Sequence, residues 1–374
     1  MKSSSLSKIA IIRGFTSFQS ITNYNSQELG LARALLKRGV QTDIFYASKD
    51  SKATSIQIDQ GLNVNYLPVI NIVGHQGIML GLNKIIKQKK YDLVQVTEES
   101  SIISFFAAVS AKKYSIPVIL SQGMYESHKG FFASILQKSY NFIFTAPFRK
   151  SVTSSIAKTQ MAKEYLNSKN FKNVEVLPIG LSTHNFNILD ENKISKPSKK
   201  VVLYIGKLEN RRNPLFILEL AKRYLDNSNV LFLCIGSGPM AKEVIENKPK
   251  NVQVIENVLQ KEIKNYYSMA DVFILPTDYE IFGMVYLESI YFGVPIVTTI
   301  NAGSQEILKN KTYSFLEKSL DSKRWMQKID KFLFDEELIK KVKRDLSKDK
   351  LTVTWESLVD DYIRAYKKSL KRNH

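Results

Sequence analysis

The sequence is poor in the residues that bind metals or form disulfides. It has one cysteine and four histidines in 374 residues. Cys234 lies in the apolar run VLFLCIG, so we expect a buried thiol and neither a disulfide nor a cysteine-based metal site. No Asp-x-Asp pair and no His/Cys/Asp cluster at metal-ligand spacing occurs in the chain. These scarcities predict a protein with no metal and no cofactor, in a reducing compartment.

Long apolar runs are also missing. No uncharged apolar stretch approaches the roughly 18 residues that a membrane-spanning helix needs. The first residues, MKSSSLSKIAIIRGF, include no apolar stretch of signal-peptide length. We therefore expect a cytoplasmic protein. With 44% hydrophobic and 24% charged residues the chain is globular, and its length predicts two domains.

Acidic residues are scarce relative to basic ones, 35 against 54, which gives a net charge of +19. Such a surplus fits nucleic acid, an anionic membrane surface or anionic substrates. Nucleic acid is not an expected partner, because no RNP, helix-turn-helix or zinc pattern accompanies the charge. Residues 77–90 and 129–150 combine cations with apolar side chains, and Ile78, Leu82 and Ile86 recur at helical spacing. They predict helices in an anionic membrane interface, on its cytoplasmic face; the alternative is ordinary amphipathic helices with solvated lysines.

Strand-like and helix-like segments alternate along the chain, which is typical of parallel sheets covered on both faces. Residues 182–200 are polar and lysine-rich and form the best candidate linker, and a second alternating series begins at KVVLYIG. The predicted fold class is α/β, with two Rossmann-like domains facing across a cleft. Their bounds are residues 1–182 and 183–352, and residues 353–374 form a closing helix that packs back on the first domain.

The segment EIFGMVYLE places two carboxylates, Glu280 and Glu288, at its two ends. A strand is predicted to end near Pro276 and a helix to cover residues 282–292, so Glu280 precedes the helix and Glu288 lies about two turns inside it. The N–H groups at that helix start favour a phosphate, and Gly283 admits a ligand close to the backbone. Because carboxylates repel phosphate, we expect them to accept hydrogen bonds from sugar or ribose hydroxyls. The alternative is a capped amphipathic helix with two solvated glutamates.

Cations and glycines follow two further strands of the second domain. Gly206, Lys207 and Arg212 lie in GKLENRR after the strand 201–205, and Gly236 begins a glycine-rich turn after the strand 229–235. A lysine acts on phosphate as a point charge, whereas an arginine can bind two oxygens at once. We expect these side chains to stabilise a diphosphate leaving group in place of a divalent ion.

Together these motifs resemble the donor-binding half of retaining glycosyltransferases of family 4, which have the B-type glycosyltransferase fold. The resemblance covers about residues 176–370, in the order LPIGLSTHNF, YIGKLENRRNP, IGSGP, SMADVFILPTDYEIFGMVYLESIYFGVPIVTT, NAGSQEI and TWESLVDDYIRAYKKSL. It implies an enzyme that moves a hexose or N-acetylhexosamine from a nucleotide-diphosphate sugar to a saccharide or lipid-linked glycan. It also implies retention of anomeric configuration.

The resemblance assigns a role to each matching residue. Glu288 binds the ribose, Glu280 the donor sugar, and Lys207 and Arg212 the diphosphate. Val258, between Asn257 and Leu259, meets the base. The remaining donor-binding positions are Gly206, Gly236, Phe282, Gly283, Met284 and Val285.

The first domain, expected to bind the acceptor, matches the family less well. Where members have a Gly-Gly pair this chain has Arg13-Gly14, and where they have His-Gly it has Gln122-Gly123. Gln cannot transfer protons, although its amide can bind a sugar hydroxyl. His128, Glu98 and Glu99 are further candidates near the acceptor.

The histidine replacement leaves a second hypothesis open, a catalytically silent membrane-associated subunit of a glycan-assembly complex. A nucleotide-sugar epimerase of the same fold is a third, which the Glu280–Glu288 spacing disfavours.

Overall fold

The computed structural model describes residues 6–16, 26–88, 90–126, 144–186 and 196–372. The chain divides into two compact units. One comprises residues 1–180 and 355–374, and the other residues 181–354. Each unit is built around its own largely parallel sheet.

The first unit has a sheet of nine strands among its described residues, in the order β3-β4-β2-β1-β6-β7-β8-β9, with β5 paired to β4. Only β3 and β5 run antiparallel to their neighbour β4. The central strands β6, β7 and β8 are buried along their whole length, as expected of a sheet covered on both faces. The strands are β1 Lys8–Ile12, β2 Gln41–Ser48, β3 Thr54–Asp59, β4 Leu62–Val73, β5 Gln76–Met79, β6 Leu93–Thr97, β7 Val118–Gln122, β8 Ser154–Ala157 and β9 Val174–Val176.

Helices α1 to α5 belong to the same unit. Ser101 and Thr159 begin α3 and α5 by accepting hydrogen bonds from the N–H groups three residues on, as capping residues do. The helices are α1 Gln27–Leu36, α2 Leu82–Gln88, α3 Ile102–Lys113, α4 Ala146–Ser151 and α5 Gln160–Ser168.

One prediction about this unit is wrong. Residues 77–90 do not form one helix, because Ile78 lies on β5 and Gly81, with a φ of 78°, separates that strand from α2. Residues 146–151, which include the end of the segment 129–150, form the helix α4, where Pro147 fits the first helical turn. Residues 129–143 of the aromatic segment and residues 187–195 of the linker lie outside the described residues.

The second unit has six strands in the order β12-β11-β10-β13-β14-β15, all parallel. Cys234 on β11 is buried and unpaired, and burial raises the pKa of its thiol to about 12, so the prediction of an inert core thiol is confirmed. The strands are β10 Lys200–Ile205, β11 Val230–Ile235, β12 Val252–Ile255, β13 Val272–Leu275, β14 Ile296–Thr299 and β15 Ser314–Glu317. The helices are α6 Pro214–Lys222, α7 Ala241–Asn247, α8 Ile263–Met269, α9 Met284–Phe292, α10 Ala302–Leu308, α11 Ser322–Phe334 and α12 Glu336–Asp349.

The closing helix, α13 Trp355–Arg372, lies in the first unit. Tyr366 donates a hydrogen bond to Gln95 Oε1 at 2.6 Å, and Arg38 pairs with Asp360 at 2.9 Å. Trp355 and Tyr362 are buried on the same face. Across the described ranges, no helix combines the length and apolarity needed to cross a bilayer.

Candidate functional site

The candidate site of the second unit lies where β10 and β13 end. The two strands are parallel neighbours, so the loops that follow them meet at one edge of the sheet. The loop after β10 contains Gly206, Lys207 and a 3-10 turn over Asn210–Arg212, and the loop after β13 leads through Glu280 into α9.

Asn213 joins these two loops. Its backbone is left-handed, with a φ of 47°, a conformation that asparagine tolerates better than most residues. Its amide nitrogen donates to Pro276 O at 3.0 Å and to Asp278 Oδ1 at 2.8 Å. The Asp278 N–H in turn donates to Arg211 O at 2.8 Å. The side chains on the two loops are therefore held in a fixed relation.

Arg212 and Glu280 form an ion pair between these loops. Arg212 Nη2 lies 2.9 Å from Glu280 Oε2, and each side chain is only 13% exposed. The Nε and Nη1 atoms of Arg212 are buried and have no hydrogen-bond partner among the described residues. A buried donor without a partner costs about 1–3 kcal/mol, and more when it is charged. The pair therefore presents unused cationic donors beside a carboxylate.

Glycines keep the space beside this arginine open. A Cβ at Gly206 would lie 3.2 Å from Arg212 Nη1, and one at Gly236, whose φ is 142°, would lie 1.9 Å from Gly206 O. Only glycine lets the two loops approach so closely. The backbone of Lys207 is fixed by the Tyr204 hydroxyl, which donates to Lys207 O at 2.8 Å. The Lys207 side chain is exposed, and no partner for its ammonium is found in the described part of the chain.

Helix α9 begins at the same edge. Gly283 precedes it with a φ of 85°, and a Cβ there would lie 3.2 Å from Glu280 Cγ. Within the described ranges, the N–H groups of Phe282, Gly283, Met284 and Val285 donate to no backbone carbonyl. Free N–H groups and the helix dipole together favour an anion here.

Glu288 lies one turn into α9 and is 1% exposed. The Tyr267 hydroxyl lies 3.0 Å from Glu288 Oε2 and 3.2 Å from Val285 O. Burial raises the pKa of the Glu288 carboxyl well above its ordinary value. Glu280 is paired and Glu288 is buried, so the alternative of two solvated glutamates is wrong.

Val258, predicted to meet the base, lies in the loop after β12. It is half-buried, follows Asn257 with a left-handed φ of 56°, and precedes the exposed Leu259. In the described part of the structure no hydrogen bond joins it to the Arg212–Glu280 pair, so its role stays a prediction.

In the first unit, Gly14 follows β1 and Gln122 is the last residue of β7. The Gly14 N–H donates to Thr97 Oγ1 at 2.7 Å. Gln122 is buried, its Oε1 accepts from the Glu99 N–H at 2.9 Å, and its Nε2 donates to Met124 O at 2.9 Å. Both ends of the Gln122 amide are thus engaged by backbone, and one N–H and one lone pair of the amide remain beyond these two bonds.

The neighbouring carboxylates are also engaged within the unit. Glu98 is buried and accepts from the N–H groups of Gly123 and Met124 at 3.0 and 3.1 Å. Burial raises the pKa of Glu98, with Lys158 acting in the opposite direction. Glu99 is fully buried and accepts from the Tyr165 hydroxyl at 2.7 Å, so it does not reach the surface. His128 lies outside the described residues.

Comparison with known proteins shows what this chain is similar to. Residues 186–348 match the model of the glycosyl transferases group 1 family. The chain is 24% identical over 318 residues to a UDP-Gal:alpha-D-GlcNAc-diphosphoundecaprenol alpha-1,3-galactosyltransferase of Escherichia coli, covering 78% of this chain and 80% of that protein. The chain is a glycosyltransferase. It is also 25% identical to the capsular polysaccharide biosynthesis glycosyltransferase CapM of Staphylococcus aureus, covering 92% of this chain and 96% of that protein.

The fold of this glycosyltransferase agrees with solved structures. Sucrose-phosphate synthase from Thermosynechococcus elongatus superimposes with a TM-score of 0.75 at 16% identity, over 96% of this chain and 98% of that one. The B-type fold with two Rossmann-like domains, the family 4 resemblance and the enzyme class are therefore confirmed. The enzyme transfers a sugar from a nucleotide-sugar donor.

Two residues of the site were missed from sequence. Asn213 directly precedes Pro214, the first residue of a helix. An asparagine in this context could have been predicted to cap the helix or to adopt a left-handed backbone. Tyr267 gave none, because its contact with Glu288 depends on how α8 packs against α9.

Proposed function

We propose that the enzyme transfers a hexose or N-acetylhexosamine from a nucleotide-diphosphate sugar to a saccharide or lipid-linked glycan, with retention and without a metal ion. The observation that carries this proposal is the Arg212–Glu280 ion pair with its two unused arginine donors. The relatives support the acceptor class, since one is named for a diphosphoundecaprenol-linked acceptor and another for capsular polysaccharide. Retention comes from the family resemblance.

The leaving group is where the protein contributes most. As the bond between sugar and diphosphate breaks, negative charge grows on the departing phosphate. Arg212 Nε and Nη1, the Lys207 ammonium and the N–H groups at the start of α9 stabilise that charge. Donors placed before the reaction need no reorganisation, and removing one such donor typically lowers kcat by about 10²–10³.

The two glutamates orient the donor. One oxygen of Glu280 is held by Arg212, which leaves Oε1 to accept from a sugar hydroxyl. Glu288 is fixed by Tyr267 and serves the ribose hydroxyls in the same way. No side chain is assigned as a nucleophile, so the chemistry consists of positioning and leaving-group stabilisation.

The same proposal places the enzyme in the cytoplasm, peripheral on an anionic membrane surface. The net charge of +19 and the single buried cysteine support it. The membrane is then the source of a lipid-linked acceptor.

The test is nucleotide release by the purified full-length chain with a panel of UDP-, GDP- and ADP-sugars, with and without membrane extracts as acceptor source. We expect one donor to be consumed and its nucleotide released. A catalytically silent subunit would release no nucleotide with any donor and acceptor, and that result would refute the proposal.

A further inference from the structure

The first unit contains a surface cavity of about 300 Å³ that none of the roles above uses. It lies between α3 and the segment formed by β5 and α2. Its size is at the lower end of the range for small-molecule sites, which is about 300–1,000 Å³. Its walls are made mainly by six apolar side chains: Ile78, Met79, Leu82, Ile103, Phe106 and Val109.

Few groups in the cavity lining need a hydrogen bond from a bound molecule. Of its polar lining groups, Ser110 Oγ donates to Asn83 Oδ1 at 2.5 Å, and Asn83 is exposed, so its amide N–H groups can be solvated. Phe106 and Val109 remain 44% and 38% exposed at the edge. Walls that are mainly apolar fit an aliphatic chain better than a sugar or a peptide backbone.

The two sequence stretches that build the cavity carry charges of one sign. The sequence carries no Asp or Glu between Asp59 and Asp92, or between Glu99 and Glu126, and the cavity is built from these two stretches. Lys113 lines the cavity at the end of α3, and Lys84 is exposed on α2. Within the described ranges neither ammonium has a partner. An occupant with an aliphatic body and an anionic head is therefore complementary to the site.

We propose that this cavity receives one acyl chain of an anionic bilayer lipid, whose headgroup lies against Lys113 and Lys84. The inference rests on the proposed membrane location and not on the transfer reaction. In this proposal the cavity is the site of membrane contact, and it replaces the interfacial helix that was predicted for residues 77–90. Each exposed lysine near an anionic surface adds to this attraction, and salt weakens it.

The first experiment measures co-sedimentation of the full chain with vesicles of phosphatidylcholine alone or mixed equally with phosphatidylglycerol. We expect binding to the mixed vesicles only. Lys84→Glu/Lys113→Glu should weaken binding to the mixed vesicles by about 30-fold or more. The attraction of two lysines to the anionic surface is lost, and two glutamates repel that surface instead. The matched control is Lys341→Glu/Lys343→Glu, which changes the net charge equally but on exposed positions of α12. Equal losses in the two variants would refute a localised site.

The second experiment asks whether a chain enters the cavity. Phe106→Trp should be quenched by lipids brominated in the middle of the acyl chain, whereas the control Phe334→Trp, at a residue 48% exposed on α11, should not. Vesicle binding without quenching at position 106 would overturn the proposal. A second result would also overturn the proposal: Phe106→Asp changes the oligomeric state and leaves vesicle binding unchanged. The cavity would then be a self-association surface. Nucleotide release from soluble donors, measured alongside, reports on the proposed transferase function independently.

Discussion

The strand ends of the two units use their polar groups in opposite ways. In the second unit, Arg212 has two buried donors without partners in the described structure, and Lys207 extends into solvent. In the first unit, both ends of Gln122 are hydrogen-bonded to backbone, and Glu98 accepts from two N–H groups. One edge is prepared for an anionic ligand, whereas the other is satisfied by its own chain. We therefore expect recognition of the donor to depend on the loops after β10 and β13.

The largest effect is expected from a substitution that removes the Arg212 donors. Arg212→Ala should lower donor turnover by about 10²–10³, because the growing charge on the diphosphate loses its arginine. Folding stability should fall as well, because Glu280 is only 13% exposed and loses the partner of its ion pair. Kinetics and thermal midpoints measure the two effects. Arg223→Ala, at an exposed pair with Glu219, is the control and should leave turnover unchanged.

A second substitution weakens the connection between the loops after β10 and β13 without removing a charged group. Asn213→Ala should lower turnover by about tenfold, because alanine disfavours the left-handed backbone by roughly 1–2 kcal/mol and loses both side-chain hydrogen bonds. Asn213→Gly restores the backbone freedom alone and should give an intermediate rate. Steady-state kinetics decide the point. Wild-type rates in both variants would show that this connection does not position Arg212.

Gln122→Ala tests the same contrast in the first unit. The loss leaves buried backbone groups of Glu99 and Met124 without partners and should cost about 1–3 kcal/mol of unfolding free energy. Donor affinity should stay within about twofold, since the change lies in the unit whose polar groups are already satisfied. Urea unfolding and calorimetric titration of nucleotide test both statements. A tenfold loss of donor affinity would contradict the division of roles.

The smallest expected effect is on pH dependence. Burial raises the pKa of Glu288 in the folded state, so the folded chain binds more protons there than the unfolded one. Stability from this group is therefore present at low pH and falls as pH rises above the unfolded value of about 4.3. Glu288→Gln should reduce the drop in thermal midpoint between mildly acidic and alkaline buffer. An identical drop in both proteins would mean that Glu288 titrates normally.

Much of the donor site followed from sequence because its parts are local. Gly206, Lys207 and Arg212 sit in one loop, and Glu280 precedes a helix whose start is marked by Gly283. What could not be predicted depends on packing between elements. The pairing of Arg212 with Glu280 and the burial of Glu288 against Tyr267 each join segments distant in the chain.

The same limit explains the errors in the first unit. Apolar residues at positions 78, 82 and 86 are compatible with a helix, but pairing of β5 with β4 takes the first of them into a strand. The Gln122 contacts also follow from the tertiary fold, because they reach backbone in the loop after β6.

The most direct test of the central claim is calorimetric binding of UDP, GDP and ADP to the wild-type chain and to Arg212→Ala and Arg223→Ala. We predict that one nucleoside diphosphate binds the wild type and Arg223→Ala equally, and that Arg212→Ala binds it at least about tenfold more weakly. Equal affinity in all three proteins would contradict the assignment of the diphosphate to Arg212.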